Sequence, residues 1–166
     1  MKKLTALCMA ALLCLSALSA CGGKPVEEKQ VDLAAFAKTL TENHEFSGFV
    51  ERLDVDDPEF GAVMLENSYP ALKDLELAQL EIYLSMVSFN TGEFALAQAK
   101  SPEDAAKVKE AFEARIASMT EEGVNYPETV EVWTKHAKVV DHGTYVMLVC
   151  SEEADAIVSE FEALFQ

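Results

Sequence analysis

The first twenty-one residues constrain most strongly what this chain has to fold with. Lys2 and Lys3 precede an apolar run from Leu4 to Leu18, and the small residues Ser19 and Ala20 lead into Cys21. A charged start, a short apolar body and a small-residue ending make a secretory signal peptide rather than a spanning helix. Of the 166 residues, removal of 1–20 leaves 146. That length supports one domain with a substantial core. Cys8 and Cys14 are lost with the signal, so Cys150 is the only thiol left besides Cys21. With so few cysteines left, the fold is expected to stand on hydrophobic burial.

The ending Leu18-Ser19-Ala20-Cys21 resembles the bacterial lipobox. It implies a diacylglycerol on Cys21, cleavage before it and acylation of the new N-terminus. The expected location is the extracytoplasmic face of a cell membrane, held by lipid. One acyl chain binds only marginally, whereas two or more anchor stably. Loss of Lys2 and Lys3 leaves 11 of the 13 basic side chains against 29 acidic ones, a formal charge of −18. Such a field repels nucleic acid and anionic headgroups. The membrane is therefore expected to be held through Cys21 alone, and no nucleic acid is expected as a partner. Residues 21–30, with Gly22, Gly23 and Pro25, read as a flexible tether, and 31–166 as a single domain.

Patterning gives the elements. Asp32 caps a helix over about 32–44, with Leu33, Phe36, Ala37 and Leu40 at helical spacing. Residues 46–79 are the least readable: Phe60 to Leu65 fits a helix starting near Asp57-Pro58 or a strand, and Tyr69-Pro70 reads as a break. A helical turn over 71–77 is the expectation after it. Leu80, Ile82, Leu84 and Met86 alternate with Glu81, Tyr83, Ser85 and Val87, as in a half-buried strand. Asn90-Thr91-Gly92 then turns the chain, and Glu93–Ala99 returns, giving a hairpin over about 80–99. Ser101-Pro102-Glu103-Asp104 opens a helix over about 102–121 with an apolar stripe of Ala105, Val108, Phe112, Ile116 and Met119, stopped by Gly123. Tyr126-Pro127 begins a short helix through Trp133. A second hairpin spans about 137–150 around Asp141-His142-Gly143, its second strand apolar on both faces and so central. Ala154, Ile157, Val158, Phe161, Leu164 and Phe165 form the buried face of a last helix over about 152–165. The order predicts an α+β fold: a two-layer sandwich in which an antiparallel sheet of two hairpins is covered by helices on one side.

Five features together carry a family resemblance: the lipobox, the Glu93-Phe94-Ala95 return strand, the 106–115 helix, Tyr126-Pro127-Glu128, and Gly143-Thr144-Tyr145-Val146. In this order they resemble a lipoprotein family of Gram-positive gut bacteria, domain of unknown function forty-three fifty-eight, over roughly 31–165. The resemblance implies a surface lipoprotein. The family has no established activity, so no catalytic residues carry over.

Chemistry-bearing residues are few. His44-Glu45 opens like a zinc-protease motif, but Gly48 stands where a second histidine is required, and a histidine suits a helix C-terminus through the dipole alone. Asp54, Asp56 and Asp57 begin like a calcium loop, yet Pro58 takes the third ligand position, Glu59 the glycine position and Leu65 the terminal glutamate position. His136 and His142 lie six residues apart on a strand, about 20 Å when extended, too far to share a metal. Cys150, with His142 as base, is a candidate nucleophile; its apolar strand argues instead for a small buried hydrophobe, although a helix N-terminus can lower a thiol pKa. Trp133, Tyr126 and Tyr145 form no readable platform, and core packing is the simpler role for Trp133. Neither a cofactor nor a metal nor a catalytic set is expected.

The function expected from these features is that of a non-catalytic lipoprotein that binds an exported protein or an envelope component. A small-ligand or metal-binding accessory of a transporter is the alternative, and an enzyme using Cys150 or a histidine comes third.

Overall fold

A computed structural model describes residues 29–85, 91–123 and 125–166. The signal segment, Cys21 and most of the tether lie outside the described residues, as do Met86, Val87 and Asn90 of the first hairpin. In chain order the elements are α1 (Leu33–Asn43), β1 (Val50–Arg52), α2 (Gly61–Ser68), a 3-10 turn (Pro70–Leu72), β2 (Leu77–Ser85), β3 (Glu93–Ala99), α3 (Pro102–Met119), α4 (Pro127–His136), β4 (Ala137–His142), β5 (Tyr145–Cys150) and α5 (Ala154–Ala163). The five strands form one sheet in the order β1-β2-β3-β5-β4, every pair antiparallel.

The two hairpins are β2–β3 and β4–β5, and they join through β3 against β5, with Glu93 opposite Cys150 and Gln98 opposite Tyr145. Gly143 turns the second hairpin with φ 58°, a left-handed conformation that favours glycine. Both predicted caps form: the Asp32 side chain accepts from the Ala35 N–H and the Ser101 hydroxyl from the Asp104 N–H. Gln79 ties α1 to the sheet, accepting from the Leu33 N–H at 2.9 Å and donating to the Val31 carbonyl at 2.8 Å.

The α+β class holds, with one difference in layering: helices cover both faces of the sheet, not one. On one face Ile82, Leu84, Ala95, Ala97, Val146 and Leu148 pack with Val108, Phe112 and Trp133 of α3 and α4. On the other, Phe94, Leu96, Met147 and Val149 pack with Leu33, Phe36 and Leu40 of α1 and Ile157 and Phe161 of α5. The reason lies in the central strands. All of β3 and β5 is buried, and a strand apolar on both faces leaves one of them in water unless a helix layer lies on each side. The small Ala95, Ala97 and Ala99 give α3 a close approach, while Phe94 and Leu96 fill the opposite layer.

The stretch read as ambiguous holds more than expected. Phe60 to Leu65 falls in the helical alternative, with α2 starting at Gly61 rather than at Asp57-Pro58. After the break at Tyr69 the turn is 3-10 and ends at Leu72, so Leu77 already belongs to β2. The edge strand β1 has no sequence signature: it is three residues long and mostly exposed, and it is defined by its pairing with β2.

Candidate functional site

Two places concentrate polar and aromatic side chains. The first is internal. Glu93 opens β3 on the same face as Ala95 and Ala97, and it is 4% exposed. Arg115 of α3 reaches it with two hydrogen bonds, Nε to Oε1 at 3.0 Å and Nη2 to Oε2 at 2.8 Å. The Tyr69 hydroxyl also donates to Glu93. The guanidinium lies over the Trp133 ring at 5.5 Å and the Tyr69 ring at 5.7 Å. Burial disfavours the charge on Arg115, but the Glu93 carboxylate outweighs it and raises the arginine pKa. Burial, with the Glu93 charge added, pushes the Tyr69 phenol well above its ordinary 10.0. The result is a closed set of partners in which the acid, the base and the phenol satisfy one another.

Cys150 pairs with Glu93 across the β3–β5 ladder and is fully buried. Burial pushes its thiol up to about 12, the Glu93 charge adding and Arg115 opposing. The thiolate needed for nucleophilic attack is therefore disfavoured at neutral pH.

The second place is at the surface, where the loop after α1 meets the first hairpin and α5. A cleft of about 460 Å³ is lined by Thr41, His44, Glu45, Phe46, Phe49 and Val50. A second, of about 340 Å³, shares Glu45 and Phe46 and adds Ser47, Thr91, Val132, Ser151, Glu152 and Glu153, with the buried Cys150 behind its wall. Gly92 allows this junction, since its N–H donates to the Ser47 carbonyl at 3.1 Å and an added Cβ would lie 2.8 Å from the Phe46 Cβ. Phe46 packs on Phe94 at 5.0 Å, and Tyr83 stacks on the same ring at 4.6 Å. Phe49, by contrast, is 91% exposed on the rim of the first cleft.

His44 ends α1, its backbone N–H bonded to the Leu40 carbonyl, as its helix-end reading expects. Its side chain is 6% exposed and is clasped from both sides: Nδ1 lies 2.7 Å from Glu153, the residue before α5, and Nε2 3.0 Å from Glu160 within it. The clasp was not legible, because Glu153 and Glu160 lie more than a hundred residues away in the chain. The Glu45 N–H also donates to Glu153, at 3.3 Å.

The remaining predicted residues stay apart. Asp54 and Asp57 accept backbone N–H groups from Asp56, Glu59 and Phe60, which is local turn chemistry. Among the described residues no group of three His, Cys, Asp or Glu side chains is placed to hold a metal ion. His136 ends α4, while His142, at the far end of β4, stacks on Phe165 at 4.2 Å. Trp133 is core, 1% exposed, and Tyr145 is buried in the opposite layer with its hydroxyl accepting the Val31 N–H, whereas Tyr126 is exposed. These three aromatics make no common face. Sequence reasoning missed Glu93 and Arg115. The available signals were Arg115 on the α3 stripe three residues after Phe112, and Glu93 in step with the inward-facing Ala95 and Ala97.

Among the described residues no helix is long and apolar enough to cross a membrane. No curated protein and no solved structure matches the chain. A family model described as a domain of unknown function, DUF4358, matches residues 60–151, which takes in the Tyr69–Glu93–Arg115 set, both hairpins and Cys150 but neither the lipobox nor α1 and α5. With more than half of its length matched, the chain belongs to the DUF4358 family.

Proposed function

We propose that this protein is a lipid-anchored, extracytoplasmic binding module without catalytic activity, and that it engages an exported protein or an envelope component through the cleft at Phe46 and Phe49. The observation that carries the reading is the exposure of Phe49. Phe49, 91% exposed beside a concave surface, supplies an apolar anchor for such a contact, and burying it on binding contributes about 1.5–3 kcal/mol. Glu45, Glu152 and Glu153 around the two clefts suit a partner whose apolar anchor is flanked by basic groups. The reading as a non-enzyme draws on the buried Cys150 and on the mutual satisfaction of Glu93, Arg115 and Tyr69. The anchoring rests on the Leu18–Cys21 ending.

A small-ligand role is the second reading, favoured by the first cleft's volume of about 460 Å³, which falls in the range of small-molecule pockets. Thermal unfolding of residues 24–166 tests both readings, using basic peptides, wall fragments, sugars and small metabolites. A ligand at a hundred times its dissociation constant stabilises by ~2.7 kcal/mol, roughly 5–10 °C for a domain of this size. A shift abolished by Phe49→Asp places binding at this cleft. A shift that survives the substitution places it elsewhere and overturns the assignment.

A further inference from the structure

The two contacts of the His44 ring have a consequence independent of what the clefts bind. A neutral imidazole has one N–H and one acceptor nitrogen, whereas an ionised carboxylate only accepts. Nδ1 faces Glu153 at 2.7 Å and Nε2 faces Glu160 at 3.0 Å, so both ring nitrogens have to donate, and only the imidazolium does so. Loss of the proton turns one nitrogen's lone pair toward a carboxylate, and that side of the clasp opens.

We propose that His44 is a proton-operated latch: as the imidazolium it fastens the start of the 45–49 loop to α5, and on deprotonation it releases that loop and reshapes the two clefts. The proposal that this reshaping gates a partner rests on the binding role assigned above; the latch itself does not. The lever is short. Glu153 holds both the His44 ring and the Glu45 N–H, and Glu45 lines both clefts. Ser47 stays tied to Gly92 and Phe46 to Phe94, so the change is a local release and not unfolding.

The charged groups around the ring are those expected of such a device. Glu153 at the start of α5 and Glu160 within it act on the ring directly, and Glu45 lies beside it on its own loop. Glu152 lines the second cleft. On α1, Lys38 and Glu42 pair with each other, and Lys29, in the groove that Glu160 also lines, is bonded to the Gln166 carbonyl. Burial lowers the affinity of His44 for its proton, but the two glutamates outweigh it and the pKa stands above the ordinary 6.5.

The test is an NMR titration of the full chain in detergent micelles, following the His44 ring nitrogens and the backbone amides of 45–49. The expected result is a ring protonated at both nitrogens with a midpoint above 6.5, and loop amides that move with that same midpoint. In the Glu153→Gln/Glu160→Gln double variant the midpoint falls to 6.5 or below, and in His44→Gln the loop amides lose their pH dependence. A wild-type midpoint at or below 6.5, or loop amides indifferent to the ring's titration, overturns the latch. No ligand enters this experiment, so failure of the latch leaves the Phe49 cleft standing, and failure of the cleft leaves the latch standing.

Discussion

Replacing Arg115 with alanine should leave a carboxylate uncompensated in the core. The guanidinium side chain is 15% exposed and the Glu93 side chain 5%, so this is a buried pair and not a surface one. Truncation removes two hydrogen bonds of 3.0 and 2.8 Å and leaves Glu93 in the core with the Tyr69 hydroxyl as its remaining partner in the set. It also removes the cation from between the Trp133 and Tyr69 rings. Breaking a buried pair from one side costs about 3–5 kcal/mol, because a charge is left uncompensated. Against a total stability of about 5–15 kcal/mol that is a large fraction. At roughly 2–4 °C per kcal/mol, the melting temperature should fall by roughly 6–20 °C. Urea unfolding of residues 24–166 measures it directly. The double variant Glu93→Gln/Arg115→Met removes both charges, so it should lose less than Arg115→Ala alone. A loss below about 1 kcal/mol, the size seen for exposed pairs, would show that the pair behaves as a surface one, as would a double variant that loses the sum of Glu93→Gln and Arg115→Met.

Three further outcomes are expected. Cys150 should resist thiol reagents at neutral pH in the native protein and react once denaturant is added, because it is fully buried and its thiol stands at about 12; rapid native labelling would contradict this. Stability should depend on pH through His44. Its folded pKa lies above 6.5, so its contribution is complete below 6.5 and fades as pH rises through the raised value. The pKa of Glu153 lies below 4.5, held down by the hydrogen bond from His44, so its contribution is complete above 4.5 and is lost as pH falls through the lowered value. The melting-temperature gap between wild type and His44→Gln should therefore be widest between 4.5 and 6.5, and a gap that grows above that window would reverse the sign. Cys21→Ser should move the protein from the membrane to the soluble fraction of lysed cells, and continued tight association would rule out lipid as the anchor.

What could be read in the sequence and what could not divide along physical lines. Strict alternation over Leu80–Leu84 and the two caps at Asp32 and Ser101 are local signals, and each corresponds to an observed element. The two-sided burial of β5 was also legible, and taken to its conclusion it requires the second helix layer that α1 and α5 supply. Strand β1 was not legible, because three mostly exposed residues have no period and become a strand only through β2. The candidate sites were the least readable. The His44 clasp joins residues 109 and 116 apart in the chain, and Tyr69, Glu93 and Arg115 meet from a helix end, a strand and a second helix. Such meetings are set by tertiary packing, which residue spacing along the chain does not encode.

The Phe49 cleft is proposed above as a contact face, and that proposal can be checked in the cell. The measurement is photo-crosslinking from a phenylalanine analogue at position 49, activated on intact cells expressing the full chain. Tyr126, 61% exposed and outside the lining of both clefts, serves as the control position. A discrete adduct is expected from position 49 and none from position 126. The absence of an adduct from position 49, or the same adducts from both positions, would contradict it.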